Sequence, residues 1–368
     1  MKDLLSPRER METVLQHRTP DRVPATMHAR GEIQRRLMER FSVSKFDDVL
    51  DILGARLYAD FEPELIFPEY QKRVTGTVRG DCPFAGKSVI FHDEHTFEDP
   101  WGVIRRIGSD GKYVEWVSGP LAEKDMLEQY PFPGAENIPR LSELSDKIEA
   151  AKKEGLYTRV FVPNPYKSAW YLRGMENLLM DYMLDPEYIG SLYKKISEFW
   201  ILVLSRFVQA GIDMIAIEGD IAMQDRIIMG ADRWRKHDKP VLKEMIMSCR
   251  KINPEVTTFF HSDGNIMPVM ADLIETGFQV IDSLQPECMD PYEVKQKFGA
   301  QIVLHGCGSL QHTLPHGTPD DCRKEVKELI EGCGKNGGLV LRPSNMIGFD
   351  VPLENITAWF ETARDYQL

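Results

Sequence analysis

Six short apolar runs in this chain end in side chains that can ligate a metal or exchange protons. "MIAIEGD" closes on Glu218 and Asp220, "TTFFHSD" on His261 and Asp263, "VIDSLQP" on Asp282 and Gln285, and "IVLHGC" on His305 and Cys307. "LVLRPS" adds Arg342 and Ser344, and "ATMHA" adds His28. Side chains of an extended strand alternate between faces, so groups two apart share a face and can meet one ligand. That pattern pairs His261 with Asp263, Glu218 with Asp220, and His305 with Cys307. Imidazole, carboxylate and thiolate are the ordinary zinc ligands, and a second carboxylate orients a ligating ring. His261 and Asp263 are therefore a metal site or an acid–base pair; the alternative is a hydrogen-bonded structural histidine followed by an aspartate that caps the helix opening at "DGNI". Glu218 and Asp220 are either carboxylates handling substrate protons, with a raised pKa if close together, or a strand-end pair satisfied by backbone amides. Cys307 is a ligand candidate or a small buried filler, and Asp282 and Arg342 can form an ion pair.

The elements that must position these groups are short strands alternating with amphipathic helices, with Gly at most helix ends. From "TRVFVPN" onward at least six such units follow one another, ending in "GGLVLRPS" and the helix "LENITAWFETARDY". A doubly wound sheet calls for a Gly-rich phosphate loop after its first strand. "GCGKNGG" instead follows a helix and lacks a Ser or Thr after its Lys. The expected fold is α/β, a (β/α)8 TIM barrel, whose catalytic groups sit at the C-terminal ends of the strands. Ser6, Pro7 and Glu9 form a capping box that opens a first helix. "VPATMHA" reads as a short buried strand and "GEIQRRLMERF" as the helix after it. Residues 60–140, rich in Gly, Pro and aromatics, read as an irregular insertion, in which the "HDEH" run is an exposed hairpin. Residues 1–368 are expected to form a single barrel domain with an elaborated N-terminal region.

The 368 residues carry a formal net charge of −12, which argues against nucleic acid or an anionic membrane as the main partner. No apolar run is long enough to span a bilayer and the N-terminus turns charged early, so a cytoplasmic protein is expected. Six cysteines without a CxxC pair suit free thiols in a reducing compartment. Trp101, Tyr166, Trp170, Tyr171, Met223 and Met229 are candidates to line a pocket near the strand ends, or to pack within the wall.

Taken in order, "TPDRVPA", "RGMENLLMDYMLDPEYI", "EGDIAMQ", "FHSDGNI", "IDSLQPE", "KQKFGAQIVLHGCGSLQHTLPHGTPDDCRKEV" and "GGLVLRPSNMIGFDVPLENI" resemble the uroporphyrinogen decarboxylase superfamily over nearly the whole chain. The resemblance implies a distorted (β/α)8 TIM barrel and two activities, tetrapyrrole decarboxylation and corrinoid-linked methyl transfer. The decarboxylase's Arg-Gln-Ala-Gly-Arg signature, which holds substrate carboxylates, has no counterpart in "PATMHARGEIQRRL", where only Arg30 and Gly31 remain. Metal-free decarboxylation therefore takes second place. The coenzyme M branch holds zinc with His-x-Cys and a later Cys. Here the first motif is His261-Ser262-Asp263 and the second position reads "RPSN", residues 342–345. His261, Asp263, Glu218 and Cys307 then form an expected metal set of harder character, with His28 and His305 as open alternatives to Cys307. Oxygen- and nitrogen-bound zinc is a strong Lewis acid, which suits removal of a methyl group from a methoxylated, aromatic compound. The resemblance thus implies an O-demethylase-type methyltransferase with Glu218, Asp220 and Asp263 as catalytic groups and His28, Met223, Arg342 and Asn345 around the substrate. No Asp-x-His-x-x-Gly motif occurs, so the corrinoid (methylcobalamin) would ride on a separate, transient partner protein. A quaternary amine as donor, a thiol as acceptor, and a homodimer remain open alternatives.

Overall fold

The computed structural model describes residues 4–368, and these contain twelve strands. They are β1 (Tyr58–Phe61), β2 (Gly76–Thr77), β3 (Ser88–Phe91), β4 (Thr96–Glu98), β5 (Ile104–Ile107), β6 (Val114–Ser118), β7 (Tyr157–Pro163), β8 (Met214–Glu218), β9 (Thr257–His261), β10 (Val280–Asp282), β11 (Val303–Gly308) and β12 (Leu339–Pro343). A seven-stranded parallel sheet runs β1-β7-β8-β9-β10-β11-β12. The expected strand "VPATMHA" takes the eighth place, beside β12. The Thr26 amide donates to the Leu341 carbonyl at 3.0 Å, and the Leu341 amide donates to Pro24 at 2.8 Å. The segment forms only isolated bridges, at Ala25 and Ala29, because Pro24 has no N–H to extend a ladder. On its other side the contact with β1 is made by side chains, with His28 Nε2 3.1 Å from Asp60 Oδ2. The fold is the distorted (β/α)8 barrel.

Two apolar layers hold the barrel. Inside, Met214, Phe259, Val280, Val303 and Val340 meet Met11 and Val14 of the first helix, Pro7–Leu15. That helix plugs the end where the strands begin, and it starts with the Ser6–Glu9 capping box. Outside, the strands' other faces pack against helices such as Pro186–Gln209, which buries Ile189, Leu192, Phe199 and Val203 on one side. Each such side chain contributes about 1.5–3 kcal/mol by leaving water. Helices Phe46–Ile52, Leu141–Lys153 and Pro165–Arg173 were not anticipated from the sequence. The helix Ala231–Arg250 runs through Pro240.

The insertion after β1 is more regular than its composition implies. β2 to β6 form an antiparallel sheet in chain order, with Val78, Cys82, Val89 and Phe97 buried on one face. The β3–β4 hairpin exposes His92 to His95, as read from the sequence. All six cysteines are free thiols, and all but Cys288 are buried. No helix among the described residues is long and apolar enough to cross a membrane.

Candidate active site at the barrel mouth

Strand register places the chemistry. Pro163, Glu218, His261 and Asp282 sit side by side across β7, β8, β9 and β10, each at its strand's C-terminal end. Asp282 is the hub. Its buried carboxylate accepts from Arg342 at 2.7 and 2.8 Å, and contacts His305 Nδ1 at 2.7 Å and His261 Nδ1 at 2.5 Å. Burial opposes its charge, but Arg342 and His305, with the His261 hydrogen bond, hold it well below the usual carboxylate range. The ion pair foreseen for Asp282 and Arg342 is present, so Arg342 reaches the cavity wall already matched in charge.

With Nδ1 engaged by Asp282, His261 turns Nε2 toward the mouth. Burial disfavours its cation, yet Asp282, followed by Asp263 and Asp220, outweighs this and pushes its pKa up to about 9. Asp220, His261 and Asp263 each present a ligand atom, all within 4.8 Å of one another. Asp220 Oδ1 lies 4.0 Å from His261 Nε2 and accepts from the Asp263 amide at 2.9 Å. Asn345 donates to Asp263 Oδ2, while Asp263 Oδ1 is buried with no hydrogen-bond partner among the described residues. An unpaired buried carboxylate oxygen is costly and raises the question of its ligand. Burial, with Asp220 and Asp282 nearby, also raises the Asp263 pKa. This carboxylate does not cap the following helix, which begins only at Met270 after a 3-10 turn.

The donor set fits a divalent metal such as zinc: one imidazole nitrogen, two carboxylates, and a carboxylate behind the imidazole to fix its tautomer. Glu218 and Cys307, expected as ligands, lie outside the group. Glu218 Oε1 accepts from Lys167 at 2.7 Å. Cys307 is buried in the layer between strands and helices. Gly306 and Cys307 have φ of +96° and +81°, which breaks the strand's alternation. His305 therefore stacks inside the barrel on Phe259 and Tyr58, while Cys307 faces away. Burial raises the Cys307 thiol's pKa well above its usual value, the reverse of what a ligand needs.

Lys167 was missed by the sequence reading. Asn164 caps the helix Pro165–Arg173 by accepting from the Lys167 amide at 2.7 Å, which sets Lys167 one turn in and facing the end of β8.

Two cavities adjoin. The mouth proper, about 450 Å³, is lined by residues including His28, Asp60, Arg159, His261, Asn345 and Met346. A second, about 520 Å³, lies between the barrel and the antiparallel sheet and shares Glu62, Pro63 and Glu218 with the first. Every cation lining either one faces a carboxylate: Arg159 with Asp60, Arg342 with Asp282, Lys167 with Glu218, Lys87 with Glu62 and Arg105 with Asp99. Of the candidate pocket residues, Trp101 and Tyr171 line the second cavity. Tyr166 and Met229 are buried in the core, Trp170 packs against it, and Met223 is exposed at the rim.

A model of the uroporphyrinogen decarboxylase (URO-D) family matches residues 89–366. The uroporphyrinogen decarboxylase of Actinobacillus succinogenes is 22% identical over 293 residues, covering 76% of this chain and 78% of that protein. That of Pelodictyon phaeoclathratiforme is 22% identical over 185 residues, covering 49% and 50%. Among solved structures, a methyltransferase from Methanosarcina mazei aligns over 98% of this chain and 99% of its own, with a TM-score of 0.68 and 18% identity, a likeness of fold. Since the family model spans most of the barrel and the layer of helices around it, the chain belongs to the uroporphyrinogen decarboxylase family.

Proposed function

We propose that this protein is a zinc-dependent methyltransferase that removes a methyl group from a small methoxylated aromatic compound and passes it to the Co(I) of a corrinoid on a separate protein. The observation that carries this reading is the partnerless Asp263 Oδ1, buried beside His261 Nε2 and the Asp220 carboxylate. Asp220, His261 and Asp263 would hold the metal, which when bound supplies Lewis acidity toward an ether oxygen. The chain's own residues do the positioning. Asp282 fixes the His261 tautomer, Asn345 fixes Asp263, and the Asp263 amide fixes Asp220. The Methanosarcina mazei protein is a precedent for methyl transfer on this fold, though a shared fold does not assign a reaction.

Decarboxylation of a polycarboxylate fits less well, because such a substrate needs cations free to receive its carboxylates. The cavity cations are each already matched. The test is metal content by mass spectrometry, run in parallel on wild type and His261→Ala. About one zinc per chain is expected in the wild type and none in the variant. Wild type should also convert cob(I)alamin to methylcobalamin with a methoxyarene, read by absorbance. A metal-free wild type, or a variant that keeps both zinc and activity, would overturn the reading.

A further inference from the structure

The second cavity has a composition of its own. Phe67, Phe84, Trp101, Tyr171 and Trp200 supply five rings to its wall. Trp101 is clamped from behind, with ring centroids 5.6 Å from Trp200, 5.5 Å from Phe199 and 6.1 Å from Phe67. The Arg105 guanidinium, neutralised by Asp99 at 2.9 Å, lies 4.7 Å from the Phe84 centroid and 4.4 Å from that of Tyr171. These contacts fix the wall before any ligand arrives, and such walls favour flat rings. A cavity of about 150 Å³ is enough for benzene, so about 520 Å³ accommodates a substituted ring.

The polar feature at the junction with the barrel mouth is the Lys167–Glu218 pair. An ammonium has three N–H donors, and among the described residues Lys167 has one hydrogen-bond partner, Glu218 Oε1 at 2.7 Å. Among the described residues Glu218 Oε2 has none. Together the two groups offer a donor and an acceptor at net zero charge. A phenolic hydroxyl, which accepts and donates, matches both. A ring carboxylate would face Glu218 and is disfavoured.

We infer that this cavity seats a neutral phenolic ring whose hydroxyl is read by Lys167 and Glu218, with an adjacent methoxy group turned toward Asp220, His261 and Asp263. The inference deepens the methyl-transfer reading and rests on it for the fate of the methoxy group, while the ring site stands on the cavity itself. Lys167 is here a specificity residue that binds substrate.

The experiment is isothermal titration calorimetry of the zinc-loaded protein with 2-methoxyphenol, methoxybenzene and benzoate. Wild type is expected to bind 2-methoxyphenol at least tenfold tighter than methoxybenzene, with benzoate weakest. Lys167→Met, of similar length and unable to donate, leaves only the Glu218 acceptor and should narrow that preference, and Lys167→Met combined with Glu218→Leu should bind the two methoxy compounds equally. Leu65→Trp, which fills the cavity from another wall, should lose both, and it carries the test if Lys167→Met fails to fold. Equal binding of the two compounds by wild type, or unchanged binding by Leu65→Trp, would overturn the site. Tight binding of 2-methoxyphenol without methyl transfer to cob(I)alamin would overturn the reaction and leave the site standing. Methyl transfer from another donor with no phenol bound would do the opposite.

Discussion

Two buried aspartates show how local partners decide the state of a carboxylate. Burial pushes the pKa of each upward. At Asp282 the cations Arg342 and His305 reverse the effect, whereas Asp238 accepts from the hydroxyls of Tyr182 and Tyr193, at 2.9 and 3.1 Å, and rises to about 7. In the unfolded chain an aspartate ionises near about pH 4. Between pH 4 and 7 the native state therefore binds more protons than the unfolded one. The stabilisation is complete below about pH 4 and is lost as pH rises through 7. Asp238→Asn mimics the protonated acid, so it should flatten this fall and exceed wild type in stability at pH 8, as urea unfolding across that range would show. An unchanged slope would remove Asp238 as its source. At this scale the sequence was partly legible. Strand-end position placed Asp220, His261 and Asp263 among the candidates, but it put Glu218 and Cys307 in the expected metal set and Asp220 among the catalytic groups. The hub role of Asp282 and the reach of Lys167 depend on registers and helix phases that no local pattern encodes.

Elements set the site through close approaches between loops. The loop after β9 passes against the loop after β8 at Gly264, where φ is +82° and a Cβ would lie 2.5 Å from the Met223 carbonyl oxygen and 2.8 Å from that of Ala222. The Asn265 amide donates to that same Met223 carbonyl at 2.8 Å. This contact brings Asp263 to Asp220 across two connections. Gly264→Ala should cost about 1–3 kcal/mol from backbone strain, more if the loops must part. It should also lower zinc occupancy although every ligand is intact. Gly190→Ala is the control, since Gly190 lies exposed in the helix Pro186–Gln209 with open space around it. It should stabilise by about 0.5–1 kcal/mol and leave zinc unchanged. Equal zinc in both variants would mean that the loop contact does not hold the ligands. The sequence showed where most barrel strands end, because apolar runs bounded by polar groups mark them. It did not show the phase change at Gly306, so His305 and Cys307 were expected on one face. Of the antiparallel sheet only the "HDEH" hairpin was legible, because its strands are short and separated by turn-forming residues.

For the whole molecule the question is how a barrel closes when its eighth position is irregular. Main-chain hydrogen bonds join Pro24 and Thr26 to β12 and His28 to Ile347 just beyond it, but on the β1 side the seam depends on side chains. Asp60 takes both sides of that load, accepting from Arg159 at 2.8 and 3.0 Å and facing His28 at 3.1 Å. Arg159 is only 1% exposed, with its guanidinium carbon 3.8 Å from the Tyr58 ring centroid. Burial would raise the Asp60 pKa, but Arg159 and then His28 hold it below the usual range. Removing one partner of a buried pair strands the other charge, at a cost of about 3–5 kcal/mol. Asp60→Ala should therefore lower the unfolding free energy by that amount, read as a lower urea midpoint at constant m, the mark of a stability change without a change in surface exposed. Arg159→Met should cost less, because the carboxylate it leaves behind is 31% exposed and can be hydrated. The order of the two variants is the test. If Asp60→Ala were the milder, the seam would be held by packing around residues 23–29, and the charge pair would serve the cavity it lines rather than the closure of the barrel.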